Sequence, residues 1–200
     1  MSTYNADTLE RSTDMTPIAG SIEVAIPVSV LWECFTHADG WPRWNACMFW
    51  VRNRELVAGQ RLIWAFEPIR WWYLYKLPGI ATLAEVEETH KVTWEITVLP
   101  GFYARHTYFV EDLGSGQTRF GSYEKAMGPT FRLLKRFWLA HFVFVKDRSL
   151  EGAHVLEATY QRVGRIDGHD LSPKRYWPSL VLLLTVLVVI YAFLRVLFSP

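Results

Sequence analysis

The residues of this chain best suited to proton chemistry are His106 and Glu124. They fall in two stretches of strand character, 102–112 and 118–126, joined by the turn-rich LGSGQ of Leu113–Gln117. A hairpin closed over that loop sets Val110 opposite Phe120, Tyr108 opposite Ser122 and His106 opposite Glu124. A second reversal at Pro100-Gly101 brings Trp94 beside His106. Side chains alternate along a strand, so Phe102, Ala104, His106, Tyr108 and Val110 share one face. That face carries fewer charges than Tyr103, Arg105, Thr107, Phe109 and Glu111, and is expected inside.

An imidazole beside a carboxylate can act as a general base with an orienting acid. The carboxylate favours imidazolium, while burial favours neutral forms of both groups. The same pair could hold a ligand's carbonyl or hydroxyl, or simply be a satisfied buried pair that fixes the sheet. Tyr108 and Ser122 are further hydrogen-bonding candidates, and Trp64, Phe66, Trp94 and Phe120 are candidate apolar contacts for a ligand. No nucleophile sits in a recognisable elbow. The spacings CxxC, HExxH, GxGxxG and GxxxxGK[ST] are absent, so neither metal nor cofactor is expected. A net charge of +1 gives no global footprint for nucleic acid. Cys34 and Cys47 are the only cysteines, which argues against a disulfide framework and fits a reducing compartment.

Such a pair needs a sheet around it, and the pattern supplies one. Strands are expected at Ser21–Ile26, Ala46–Arg52, Gln60–Glu67, Ile80–Glu88, Lys91–Val98, Phe102–Asp112 and Thr118–Ala126. Val28–Phe35 reads as a short helix behind Pro27, and His37–Asn45 as a turn-rich piece with two tryptophans. After the Gly128-Pro129 break, Thr130–Val163 reads as one helix of roughly 50 Å. Six meandering strands followed by a long helix make an α+β fold of about seven strands, curled around that helix and leaving a cavity between them. Residues 1–19 are polar and read as a disordered tail, 20–163 as the domain, and 164–176 as a linker.

Four stretches resemble the START-like superfamily, also called the polyketide cyclase/dehydrase and lipid-transport (SRPBCC) superfamily. They are Ile26-Pro27-Val28-Ser29-Val30-Leu31-Trp32, Gly40-Trp41-Pro42-Arg43-Trp44-Asn45, Val92-Thr93-Trp94 with Pro100-Gly101 and His106-Thr107-Tyr108, and Gly116–Phe120 leading to Glu124 and Gly128. The resemblance covers about residues 20–162. It implies a helix-grip fold, a curved antiparallel sheet around a C-terminal helix, with a ligand cavity. It does not choose between carrier, cyclase, hydrolase and chaperone cofactor, which share that scaffold.

The chain closes with LVLLLTVLVVIYAFLRVLF, and Trp177–Leu194 holds no charge. As a helix, 177–198 would run about 33 Å, enough for a bilayer core of about 30 Å. Lys174, Arg175 and Tyr176 stand where interfacial anchors belong. A single-pass C-terminal membrane anchor with a cytoplasmic N-terminal domain is therefore expected. FWLAHFVFV at Phe137–Val145 is apolar nearly all round apart from His141, and its neighbours Lys135, Arg136, Lys146 and Arg148 could meet anionic headgroups. The aromatic loop Arg70–Tyr75 is a second lipid-facing candidate, or a lid. These readings point first to membrane-tethered binding or transport of an apolar small molecule such as a lipid, isoprenoid, quinone or polyketide. The alternatives are a cyclase/dehydrase-type enzyme using His106 and Glu124, and a non-catalytic subunit of a membrane complex docked through the span. The expected partners are that ligand, membrane lipids and a membrane protein at the span.

Overall fold

Alternating burial along the strands builds one antiparallel sheet around a single long helix. The computed structural model describes residues 6–45, 47–66, 77–166 and Val188. The elements run α1 (Ala6–Arg11), β1 (Ile18–Val24), α2 (Val28–Thr36), a 3-10 turn (Ala38–Gly40), α3 (Trp41–Trp44), β2 (Met48–Val51), β3 (Arg61–Phe66), β4 (Leu77–Glu87), β5 (Lys91–Leu99), β6 (Phe102–Gly114), β7 (Gln117–Met127) and α4 (Pro129–Val163). The seven strands lie in the order β1-β7-β6-β5-β4-β3-β2, every pair antiparallel. The sheet is a curved half-barrel against α4, the expected α+β helix-grip arrangement.

The register that places the candidate pair is as expected from the hairpin. Val110 pairs with Phe120, Tyr108 with Ser122 and His106 with Glu124, while Trp94 pairs with His106 across the next ladder. Gly114, Ser115 and Gly116 close the hairpin, all with positive φ. Gly128 opens α4 at φ 111°, a conformation that excludes most side chains. The β5–β6 turn docks there, with the Thr130 amide donating to Gly101 O and the Thr130 hydroxyl to Pro100 O.

Two apolar clusters fill the interior. The larger joins α2, α3, the 3-10 turn and the second half of α4 to the concave face, and includes Phe35, Trp41, Trp44, Trp64, Trp94, Tyr108, Phe120 and Leu156. The smaller holds Met15, Phe102, Ala104, Ala126, Phe131 and Phe142 under the first half of α4.

Three expectations are corrected. The N-terminal segment is structured from residue 6. Leu9 and Met15 are buried at 4% exposure each, and β1 starts at Ile18 because β7 offers it partners as far as Glu124. Polar composition hid this, since the segment holds on through two apolar side chains and through its carboxylates. β4 begins at Leu77, paired with Phe66, where the sequence suggested loop as far as 79. The linker starts later than 164: Gly164 caps α4 in a left-handed conformation, its amide donating to Tyr160 O, and Ile166 is buried against the larger cluster.

The aromatic loop 70–75 lies outside the described residues. So does the expected span 177–198, except Val188, which is helical and exposed. Among the described residues no helix is long and apolar enough to cross a membrane.

Candidate functional site

β5, β6 and β7 bring Trp94, His106 and Glu124 into one row across the sheet, all facing α4. They are 3%, 3% and 6% exposed. His106 Nδ1 is bonded to Glu124 Oε2, and Nε2 lies 3.4 Å from Ser122 Oγ. Trp94 stacks on the imidazole with centroids 4.5 Å apart and planes 14° apart, and Tyr108 meets it edge-on at 4.5 Å. The ring is therefore fixed on two sides, with one nitrogen tied to the carboxylate. Burial pushes the Glu124 carboxyl up from its ordinary range, and His106 opposes that shift. The Glu124 carboxyl is thereby suited to hold a proton above the ordinary carboxylate range, the property that general acid–base chemistry uses.

His141 on α4 is the second buried imidazole, 2% exposed. Burial, and after it the charge of His106, lowers its pKa to about 4. It is neutral at physiological pH, and its ring meets Trp138 edge-on at 5.3 Å. It interrupts an otherwise apolar stretch of α4, which is the signal by which the sequence shows it.

A second buried polar group sits one row along. Ser149 donates to Val145 O within α4, so the Tyr108 hydroxyl must donate to Ser149 Oγ, at 2.5 Å. Asn45 donates to both oxygens, at 3.3 and 3.1 Å. Its own oxygen accepts from the Cys47 amide and thiol. This network ties the Trp41–Asn45 turn, β6 and α4 together, and burial pushes the Tyr108 phenol well above its usual range. Neither Asn45, Cys47 nor Ser149 is identifiable as a site residue by strand parity. Asn45 belongs to the WPRWN turn, and the other two carry no spacing signal.

Of the remaining sequence candidates, Trp64 meets Trp94 edge-on at 6.2 Å, and Phe120 meets Tyr108 at 5.4 Å and Trp44 at 6.3 Å. The Phe66 backbone is in β3, and its side chain lies outside the described residues. Trp41 and Trp44 complete the wall from α3. Trp41 Nε1 donates to Phe35 O at 2.6 Å, whereas Trp44 Nε1 is buried with no acceptor among the described residues. Here the expected cavity lining is largely self-packed: Trp64, Trp94, Tyr108, Phe120 and Ser122 are at most 3% exposed. A hollow of about 480 Å³, lined by Arg52, Asn53, Gln60, Arg61 and Ile63, lies on other residues altogether. Among the described residues no three His, Cys, Asp or Glu side chains converge as metal ligands.

No family model matches the chain, and no curated protein matches it. Solved structures do. A hypothetical protein from Helicobacter pylori is 14% identical, with a TM-score of 0.61, over 78% of this chain and 99% of its own. The aromatase/cyclase Zhui from a Streptomyces species is 11% identical, with a TM-score of 0.61, over 76% and 99%. The di-domain aromatase/cyclase StfQ of the steffimycin biosynthetic pathway is 15% identical, with a TM-score of 0.59; the match covers 79% of this chain and 56% of that one. The chain therefore has the fold found in aromatase/cyclases, the fold that the START-like resemblance implied. Identities this low speak to the fold alone.

Proposed function

We propose that the domain binds an apolar, ring-bearing small molecule carrying at least one oxygen acceptor, on the concave face around His106. The observation that carries this reading is the buried His106–Glu124 pair set among Trp94, Tyr108 and Ser122. Aromatic faces give a ligand ring area and orientation, and a few convergent polar groups fix its register. Trp44 Nε1 supports the reading, because a buried indole N–H with no acceptor among the described residues is suited to a ligand oxygen. Since the wall is self-packed, binding displaces part of this aromatic packing, and apparent affinity falls by the population of the open form. The apolar run 177–198 would tether the domain where such ligands partition, as a single-pass anchor with the domain on the cytoplasmic side.

A second reading is favoured by the raised carboxyl of Glu124 against an imidazole: a cyclase or dehydrase step with this pair moving the proton. The aromatase/cyclase neighbours share the fold on which such chemistry is built. Native mass spectrometry of the full chain purified in mild detergent tests the first reading. A stoichiometric apolar molecule is expected, and its loss in His106→Ala with the fold retained places it at the pair. Protein that is always empty, or that travels only with a large assembly, overturns it in favour of a subunit role.

A further inference from the structure

We propose that the outer face of the first half of α4, from Arg132 to Val143, docks on an anionic lipid bilayer. The inference rests partly on the membrane reading of 177–198, and it adds which surface of the domain meets the lipid. The helix buries Phe131, His141, Phe142 and Val145 against the sheet. Turned away from them, Leu133 is 84% exposed and Val143 42%, with Leu134 at 37% on the flank. Leu133 and Val143 lie on the outer side of the helix about 15 Å apart, with Arg136 and Ala140 between them.

Charge selects the occupant. Between Pro129 and Lys146 the helix carries Arg132, Lys135, Arg136 and Lys146 and no acid. Among the described residues Asp14 is the acid that reaches this stretch, 3.6 Å from Arg132, and its backbone oxygen accepts from Lys135. Arg136 stands beside Leu133 and Ala140 on the outer line of the helix, since residues three and four apart are neighbours. The polarity then changes. Asp147, Glu151 and His154 occupy the outer line of the second half, and Arg148 is engaged with Glu151 and Phe144. Lys146 is held at β1 beside Gly20 and paired with Asp147. An apolar strip with flanking arginines suits acyl chains below and anionic headgroups around.

The chain length agrees. From Leu133 to Val163 the helix spans about 45 Å. Ile166 is fixed to the domain, and the ten residues 167–176 reach at most about 35 Å. With an anchor starting at Trp177, α4 cannot stand upright on its N-terminal end; a pose in which it leans or lies along the surface is within the linker's reach and brings Leu133 and Arg136 down.

The test uses the full chain in vesicles of phosphatidylcholine with phosphatidylglycerol. Cys34 and Cys47 are 1% and 0% exposed, so a thiol introduced by Leu133→Cys, Val143→Cys or His154→Cys takes an environment-sensitive fluorophore selectively. Expected are quenching of the first two labels by spin-labelled lipid, none at the third, and a roughly fivefold weaker docking equilibrium in Arg136→Gln. Labels at 133 and 143 that escape lipid quenching overturn the proposal. Shielding from aqueous iodide without lipid quenching, at twice the monomer mass, overturns it in favour of a second copy. Alkaline extraction reports the anchor separately. If the chain is released, the anchor reading fails, and lipid quenching in flotation of the same vesicles still decides the docking face.

Discussion

Trp94 lies flat on His106, 4.5 Å away, while Glu124 holds the imidazole from the opposite neighbouring strand. Burial opposes charge on the carboxylate, and the imidazole is its hydrogen-bond partner. The two groups therefore depend on each other, and removing one exposes the other's desolvation.

His106→Ala should destabilise the fold by about 3 kcal/mol or more at neutral pH, because a buried carboxylate loses its partner. Burial already raises the folded Glu124 pKa, and losing His106 removes the charge and hydrogen bond that hold it down. A carboxyl raised in the folded state contributes stability below its unfolded pKa and loses it as pH rises through the folded value. Glu124 in the variant should thus lose its contribution as pH rises from about 4.5, on top of the opposite slope that His141 gives every variant. The double variant His106→Ala with Glu124→Gln should keep the His141 slope and lack this one. Urea midpoints between pH 4 and 8 decide it; identical profiles in the single and double variants would contradict the coupling.

His141 gives the opposite slope. Its folded pKa of about 4 lies below its ordinary value of 6.5. The unfolded chain binds the proton first, so stability is full above pH 6.5 and declines as pH falls toward 4. The span corresponds to about 3 kcal/mol at most. His141→Leu should remove this acid-side loss. Calorimetric unfolding at pH 7 and pH 4.5 measures both ends.

Parity and turn chemistry made β6, β7 and their register legible, because a Gly-Ser-Gly loop leaves little freedom in how the two strands meet. His106, Glu124, Ser122 and Trp94 followed from that register. Asn45, Cys47 and Ser149 did not, since their meeting depends on how α4 crosses the sheet and on where α3 lands. The self-packing of Trp41, Trp44, Trp94 and Phe120 was equally hidden: the pattern marks aromatic side chains as inside without saying whether they leave space among them.

Gly152 shows how tight that crossing is. A Cβ there would lie 2.7 Å from Trp44 O and 2.8 Å from the Trp44 ring. Alanine gains about 1 kcal/mol of helix propensity over glycine, but forcing α3 away from α4 costs about 1–3 kcal/mol. Gly152→Ala should therefore be net destabilising and should weaken the Asn45 bonds to Tyr108 and Ser149, seen as a lower melting temperature. A more stable protein would show that α3 yields freely.

The N-terminal segment carries the last prediction. Asp14 Oδ2 accepts from the Gly128 amide at 2.6 Å, at the positive end of α4, and its backbone oxygen accepts from Lys135. Glu10 lies over β6 and β7, its backbone oxygen bonded to Lys125 and its carboxylate near Arg105 and Tyr123. Leu9 and Met15 are buried beneath these polar contacts. Asp14→Ala should cost about 1–2 kcal/mol, as the loss of a capping carboxylate does. Asp14→Asn should recover part of that, since an amide oxygen still accepts from Gly128 but carries no charge for the helix end. Removing residues 1–16 should cost more, because each buried apolar side chain adds about 1.5–3 kcal/mol. Hydrogen exchange should then quicken first at the start of α4 and the end of β7, where Asp14 and Met15 are attached. Unchanged exchange in those two places would mean that the segment rests on the domain without stabilising it.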